Sequence, residues 1–366
     1  MRKNKKASTA LVVDFIDGII TEKPFGVRVY QEKIHERLPQ VHRNIIRYKA
    51  SKNVFIHLLQ RLFVYPAKII FKMKKNRITY ITMPDLAYLL HVFRFKKCIV
   101  GCYDLTSLRR IRDYHWITRI GIRSNYDAIK KYATRIITHS AYSKNDIHKK
   151  LGIPLDNIDI IHPMVDHELF SPKRNKTYLK KYGLTPADSV VLYVGSEEPR
   201  QNVDKVLRAI ALVRKKLPRV QLLKIGNAHW EGAREKHQKI IKELGLQNNV
   251  VWGGPADPIK ELPKIYNAVD VLVYPCSYSG WGLPPLEAMA CGTPTIISNR
   301  TSLPEVGGDA AIQVKPTDEK QIAKTIIAVL TNDKKRKDMS RKGLQHAAKF
   351  TWDNAAKQTL TVYRIT

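Results

Sequence analysis

The chain has 366 residues, 44% hydrophobic and 26% charged, and carries a formal +32 from 64 Lys+Arg against 32 Asp+Glu. That length suits two domains, each able to bury a core without disulfides or metals, and the composition excludes both a disordered chain and a multi-span membrane protein. Cys98, Cys102, Cys276 and Cys291 have neither the paired spacing of a zinc site nor the density of a disulfide scaffold, so a reducing, cytoplasmic setting is expected.

The N-terminus, MRKNKKASTALVVDFIDGII, starts like a signal peptide, but Asp14 and Asp17 interrupt its apolar stretch, and Leu11 to Phe15 reads instead as the first strand. No apolar run reaches 18 residues, so a spanning helix is not expected. The charge is uneven. Residues 1–175 hold 34 Lys+Arg against 14 Asp+Glu, and residues 176–366 hold 30 against 18. Between Arg37 and Tyr103 there are 14 basic residues and one acid, Asp85. This stretch includes Asn53 to Lys75, where apolar residues alternate with cations. It fits an interfacial helix on an anionic membrane, and it equally fits a helix that covers the domain's own sheet and solvates its basic face. A peripheral position on the inner face of a membrane is the corresponding expectation for location.

Strand-like and helix-length segments then alternate, the pattern of parallel sheets flanked by helices, so the class is α/β. Ile78 to Thr82, Lys97 to Cys102, Arg135 to Thr138 and Ile158 to His162 read as strands, and Ser143 to Leu151 as a helix ending at Gly152. The turn-rich stretch His162 to Asn175 is the expected linker, with domains at 1–170 and 171–349. From Ser189 a second doubly wound unit begins. Its strands are SVVLYVG, VQLLKIG, VVWGG and VDVLVYP, separated by helices around Asn202 to Lys216, Glu235 to Leu244 and Glu261 to Asn267. Neither half has a Gly-x-Gly-x-x-Gly fingerprint, which argues against nicotinamide or flavin chemistry. There is also no Asp-x-Asp pair to hold a metal under a diphosphate, so no cofactor and no metal are expected. Despite the charge, no basic helix-turn-helix, zinc finger or stacking motif supports a nucleic-acid partner.

The most informative stretch is Ser277 to Ala311, just after VDVLVYP. Gly280 and Gly282 let a backbone approach a ligand, and Pro284 suits the first turn of a helix whose free N–H groups and dipole can seat a diphosphate. Glu287 falls one turn in, where its carboxylate can accept from two ribose hydroxyls.

This stretch resembles the donor-site signature of the retaining family-four glycosyltransferases. In that signature two glutamates, separated by seven residues, flank Gly-aromatic-Gly-Leu-Pro and an Ala-Met-Ala-Cys-Gly-Thr-Pro helix end. Leu192 to Asn202 resembles the family's phosphate-contacting strand and loop, and Arg135 to Pro172 the end of its acceptor domain. Phe350 to Arg364 resembles its last helix, and Phe25 to Tyr30 its first glycine loop. The resemblance implies the GT-B fold: two Rossmann-like domains facing a cleft, with a C-terminal helix (about 350–366) crossing back to the first. It also implies transfer of a hexose from a nucleotide sugar, such as GDP-mannose or UDP-glucose, to a glycan or lipid-linked acceptor with retention and without metal, as in polysaccharide biosynthesis.

Carried over residue by residue, Glu287 binds the ribose, Gly280, Trp281, Gly282 and Leu283 face sugar and diphosphate, and Gly26 and Gly195 approach the phosphates. Three family positions differ here. The first glutamate is Ser279; the phosphate-binding arginine and lysine fall at Ser196 and Gln201; the His of the catalytic His-Asp loop is Tyr103, followed by Asp104. Arg200, Lys205 and the Tyr103 hydroxyl are the neighbours placed to substitute. His139, His162 and His167 are given no role. A catalytically silent homologue that binds a nucleotide sugar or supports a partner enzyme is the alternative consistent with these replacements.

Overall fold

The computed structural model describes residues 11–19, 27–49, 51, 53–74, 76–228, 230–257 and 259–366. Two compact units result. One runs to His162 and takes in Trp352–Thr366; the other is Pro163–Thr351.

The first unit is built on a parallel sheet ordered β2-β1-β3-β4-β5-β6, with β1 Leu11–Ile19, β2 Val41–Tyr48, β3 Ile78–Ile81, β4 Cys98–Gly101, β5 Arg135–Thr138 and β6 Ile158–Ile160. The first strand continues four residues past Phe15 because the acids that break its apolar run are paired inside the fold. Asn44 Nδ2 donates to Asp14 Oδ1 at 2.7 Å, and Arg47 Nε donates to Asp17 Oδ2 at 2.6 Å. Both partners come from β2, a strand that His42, Arg43 and Arg47 disguise in the sequence. The helix Ala141–Leu151 starts where Ser140 Oγ accepts from Ser143 N, and it stops at Gly152 in the left-handed region, φ 69°.

The terminal helix Trp352–Ile365 buries Ala355, Ala356, Thr359, Val362 and Tyr363, one stripe of helical period. It lies in the first unit, where the Tyr363 hydroxyl and His35 Nε2 share a hydrogen bond of 2.9 Å. Although the chain passes through the second unit in between, its end therefore completes the first.

The second unit has the order β12-β11-β10-β7-β8-β9, again parallel, with β7 Ser189–Val194, β8 Val220–Ile225, β9 Val250–Gly254, β10 Val271–Tyr274, β11 Thr295–Ser298 and β12 Ile312–Val314. From β7 the chain steps outward through β8 and β9, then returns to place β10 on the other side of β7. Strand order reverses there. The helices that follow β7 and β10 pack on opposite faces of the sheet, and the carboxyl ends of these two strands are where open α/β sheets bind ligands.

Candidate functional site

The loops after β7 and β10 are knitted into one surface. Asn202 Nδ2 donates to Pro275 O and Ser277 Oγ, both at 2.7 Å, and Ser277 N donates to Arg200 O at 2.8 Å. Gly195 ends β7 at the head of this surface. Arg200 Nη1 donates to Tyr278 O at 2.9 Å and Nε to Glu198 Oε2 at 2.8 Å. Arg200 is thus brought to the glycine loop, with part of its donor fork and its charge already engaged. Lys205 goes elsewhere: its ammonium lies 3.6 Å from Glu319, on the helix Glu319–Leu330. Gln201, at the family lysine position, is buried and accepts from the Tyr193 hydroxyl at 2.8 Å.

Past Gly280, the loop is set by Ser302, whose hydroxyl lies 2.8 Å from both Ser279 O and Trp281 O, and by Thr301 Oγ1, which accepts from Ser279 N. Trp281 is buried against Phe350. Gly282 caps the helix Leu283–Ala290 at φ 128°, and a Cβ there would stand 2.8 Å from Leu303 Cδ2, so a glycine is required. The helix opens Leu-Pro-Pro, as the sequence places it. Pro284 and Pro285 have no N–H, so the free amides near this end are those of Gly282 and Leu283.

Glu287 sits in the next turn. The buried Tyr266 donates its hydroxyl to Oε2 at 2.8 Å, while Oε1 makes no hydrogen bond among the described residues. Burial pushes the carboxyl pKa up to about 7, with the Tyr266 bond pulling the other way. A carboxylate has about four acceptor positions, so a pair of vicinal hydroxyls still finds room.

Behind the loop after β7 lies a cluster that the sequence reading does not isolate. Glu197 is buried and accepts from Lys224 Nζ at 2.8 Å, from Arg234 through both oxygens, and from His237 at 3.2 Å. Burial alone would raise the Glu197 pKa, but hydrogen bonds from Arg234 and Lys224 outweigh it and hold the value at about 2. Arg234 also stacks over Trp252 at 4.0 Å. A lysine in the middle of VQLLKIG is the one sequence signal of this network, which anchors the Gly195–Arg200 turn.

In the first unit, Tyr103 follows β4 and turns its hydroxyl inward, to Tyr80 at 3.2 Å and Gln31 at 3.3 Å. Tyr103, which stands at the family's histidine position, is half-buried, and burial pushes its hydroxyl up to about 12. Asp104 Oδ1 accepts from Thr106 N at 2.8 Å and starts the short helix Thr106–Arg109. Gly26 and the loop around it lie outside the described residues.

His139, passed over in the sequence, stacks on Tyr103 with centroids 4.1 Å apart. Its Nε2, Gln31 Oε1 and Trp352 Nε1 are buried without a hydrogen-bond partner, and the Tyr30 ring touches both His139 and Trp352. Among the described residues such unpaired atoms are few, and two of these three side chains lie against the Tyr30 ring. Burial lowers the His139 pKa to about 3, which keeps the ring neutral. Among the described residues no group of three or more His, Cys, Asp or Glu could hold a metal ion, and no helix is long and apolar enough to cross a membrane.

Residues 175–346 match the family model described as Glycosyl transferases group 1. The chain is 31% identical over 290 residues to O-antigen chain mannosyltransferase B of Escherichia coli, covering 76% of this chain and 72% of that one. It is 32% identical over 234 residues to D-inositol 3-phosphate glycosyltransferase of Segniliparus rotundus, spanning 63% of this chain and about half (52%) of that relative's length. Among solved structures, Anabaena Alr3699/HepE in complex with UDP and glucose superposes with a TM-score of 0.79 at 16% identity, over 97% of this chain and 100% of the other. WaaG, a glycosyltransferase involved in lipopolysaccharide biosynthesis, gives 0.69 at 15% identity, over 95% and 98%. These two likenesses establish the GT-B fold.

Proposed function

The chain belongs to the group 1 glycosyl transferases, and we propose that it moves a hexose from a nucleotide sugar to a glycan or lipid-linked acceptor with retention at the anomeric carbon. The observation that carries this reading is the paired loops at the carboxyl ends of β7 and β10 in the second unit. They are tied together at the strand-order reversal, beside a glycine-capped helix and a carboxylate with a free oxygen. The nucleoside ribose binds Glu287, and the diphosphate lies along the Gly195–Arg200 turn and the amides of Gly282 and Leu283. The relatives named above, one a mannosyltransferase and one crystallised with UDP and glucose, support a sugar nucleotide as donor.

In the transfer, the bond from the anomeric carbon to the diphosphate oxygen breaks, the acceptor oxygen bonds to that carbon from the same face, and the acceptor proton passes to the departing diphosphate. The protein's part is to stabilise the leaving charge with oriented backbone dipoles and the Arg200 guanidinium, which act most strongly where charge develops. The acceptor belongs to the first unit, where Gln31, His139 and Trp352 hold unpaired polar atoms. A thermal-shift screen of nucleotide sugars followed by product analysis tests this: one donor raises the midpoint and is turned over to an α-linked product from an α-donor. Stabilisation by no nucleotide sugar, or an inverted product, overturns it. Stabilisation without turnover over a panel of acceptors decides for the silent homologue.

A further inference from the structure

We propose that the first unit docks on an anionic lipid bilayer through the outer face of the helix that runs from Val54 to Lys72, joined by the start of the helix Trp116–Tyr132. The first of these is continuous, with a π turn at Gln60–Val64 between two α-helical parts, and Asn53 caps it by accepting from Phe55 N and Ile56 N. Its polarity is inverted for a helix on a protein surface. The inner contacts are few: Tyr65 and Ile69 are buried, and the Tyr65 hydroxyl donates to Ile46 O. Phe55, Ile56, Leu58, Leu59, Leu62, Phe63, Val64, Ile70 and Phe71 are all exposed, Phe63 at 67% and Phe71 at 88%. A helix serving only to cover its own sheet would turn these residues inward.

A second apolar ridge lies on Trp116, Ile117 and Ile120, with Trp116 61% exposed. Tyr88 links the two helices. Its hydroxyl donates to Arg61 O at 2.9 Å, its ring lies under the Arg61 guanidinium, and its amide donates to Asn125 Oδ1 on the second helix. Exposed apolar surface on this scale marks a docking surface, and charge identifies the partner. Lys72, Lys74, Arg94, Lys96, Lys97, Arg112 and Arg123 are exposed on these helices and the chain between them. Asp85 is the one acid between Arg37 and Tyr103. Exposed apolar side chains on segments in which cations outnumber the exposed acids Asp85, Asp113 and Asp127 complement the acyl boundary and headgroups of an anionic leaflet. A second copy of the same basic face would be repelled.

The test is co-sedimentation of the full chain with vesicles of phosphatidylcholine alone or mixed with phosphatidylglycerol. Partition into the anionic vesicles should exceed that into neutral ones by at least about tenfold and fall steeply as salt approaches about 1 M, where the Debye length is ~3 Å. Phe63→Asp with Phe71→Asp should reduce it by about tenfold or more, and Trp116→Asp by less, with the thermal midpoint unchanged because the replaced side chains touch little of the core. Equal partition into both vesicles, or full binding by the double variant, overturns the proposal. So does a concentration-dependent dimer that the double variant abolishes while wild type ignores lipid. Nucleoside-diphosphate affinity, read on the second unit, should be the same in every variant, so failure here leaves the donor reading standing.

Discussion

Glu287 makes the donor site's most exacting prediction, because its protonation state and its proposed role are coupled. With its pKa raised to about 7, only about a tenth of apo molecules carry the carboxylate at pH 6, and about nine tenths at pH 8. If two ribose hydroxyls donate to the ionised form, nucleoside-diphosphate affinity should rise about tenfold over that interval. The ligand's own phosphate titrates near pH 6, so the informative quantity is the difference between wild type and Glu287→Gln, whose amide does not titrate. Calorimetry at pH 6, 7 and 8 should show a steeper rise for wild type. Glu287→Ala should bind at least about tenfold more weakly at pH 8, since bonds to a charged acceptor are typically worth about 1.5–3 kcal/mol. Identical pH profiles for wild type and Gln, with unchanged affinity in Ala, would place the nucleotide elsewhere.

The same shift has a consequence for stability with a definite sign. Folding raises this carboxyl from its ordinary 4.5, so between pH 4.5 and 7 the folded chain holds a proton that the unfolded chain has released. The contribution of Glu287 to stability is therefore highest below about 4.5, declines as pH rises to 7 and then levels off. The loss is at most about 3 kcal/mol, and partial exposure of the side chain reduces it. Without ligand, Glu287→Gln should melt above wild type at pH 8 and level with it near pH 4.5. A Gln variant less stable at pH 8 would mean that the Tyr266 bond outweighs burial.

Ser279→Ala should leave nucleoside-diphosphate affinity within about twofold, because the backbone of Ser279, rather than its hydroxyl, is held by Thr301 and Ser302; a tenfold loss would give the hydroxyl a donor-binding role. Glu197→Ala should cost about 3–5 kcal/mol in urea denaturation, since it strands the buried Lys224 ammonium, and a cost under about 1 kcal/mol would show the network to be marginal. Folding depresses the Glu197 pKa to about 2, so its contribution is complete above about 4.5 and is lost as pH falls through 2, which acid titration of wild type against Glu197→Gln can follow. Donor turnover should survive EDTA, since the sequence has no Asp-x-Asp pair to hold a metal; loss with EDTA and recovery with manganese would refute the metal-free mechanism.

Legibility in the sequence followed the physical source of each feature. Strands buried on both faces, such as Ser189–Val194 and Val220–Ile225, announce themselves as apolar runs, and the glycine loop before Glu287 is a local event written in consecutive residues. The second strand, Val41–Tyr48, is masked because two of its polar residues, Asn44 and Arg47, pair with acids in the first strand, and such a pairing is invisible before the fold brings the strands together. Tyr103 is legible in position and not in direction. Its position beside Asp104 is plain in the sequence, but the direction of its hydroxyl depends on Tyr80 and Gln31, 23 and 72 residues away.

The segment Asn53 to Lys75 separates what periodicity can establish from what it cannot. Its pattern defines a helix and an apolar stripe, and no pattern within a helix says which neighbour covers that stripe. That is decided by the distant residues that supply the inner contacts. Ile46 and Gly18 meet the Tyr65 hydroxyl, and Arg47 O meets the Lys68 ammonium, so one narrow polar-edged strip faces the sheet and the wider apolar face is left outside. A sheet-covering helix would need its nine large apolar side chains on the inner strip, with the cations outward; here the strip is too narrow to take them. The sequence left two readings of this helix in balance, and its inner contacts, made by Tyr65 and Lys68, account for the narrow strip only and leave the apolar face outward.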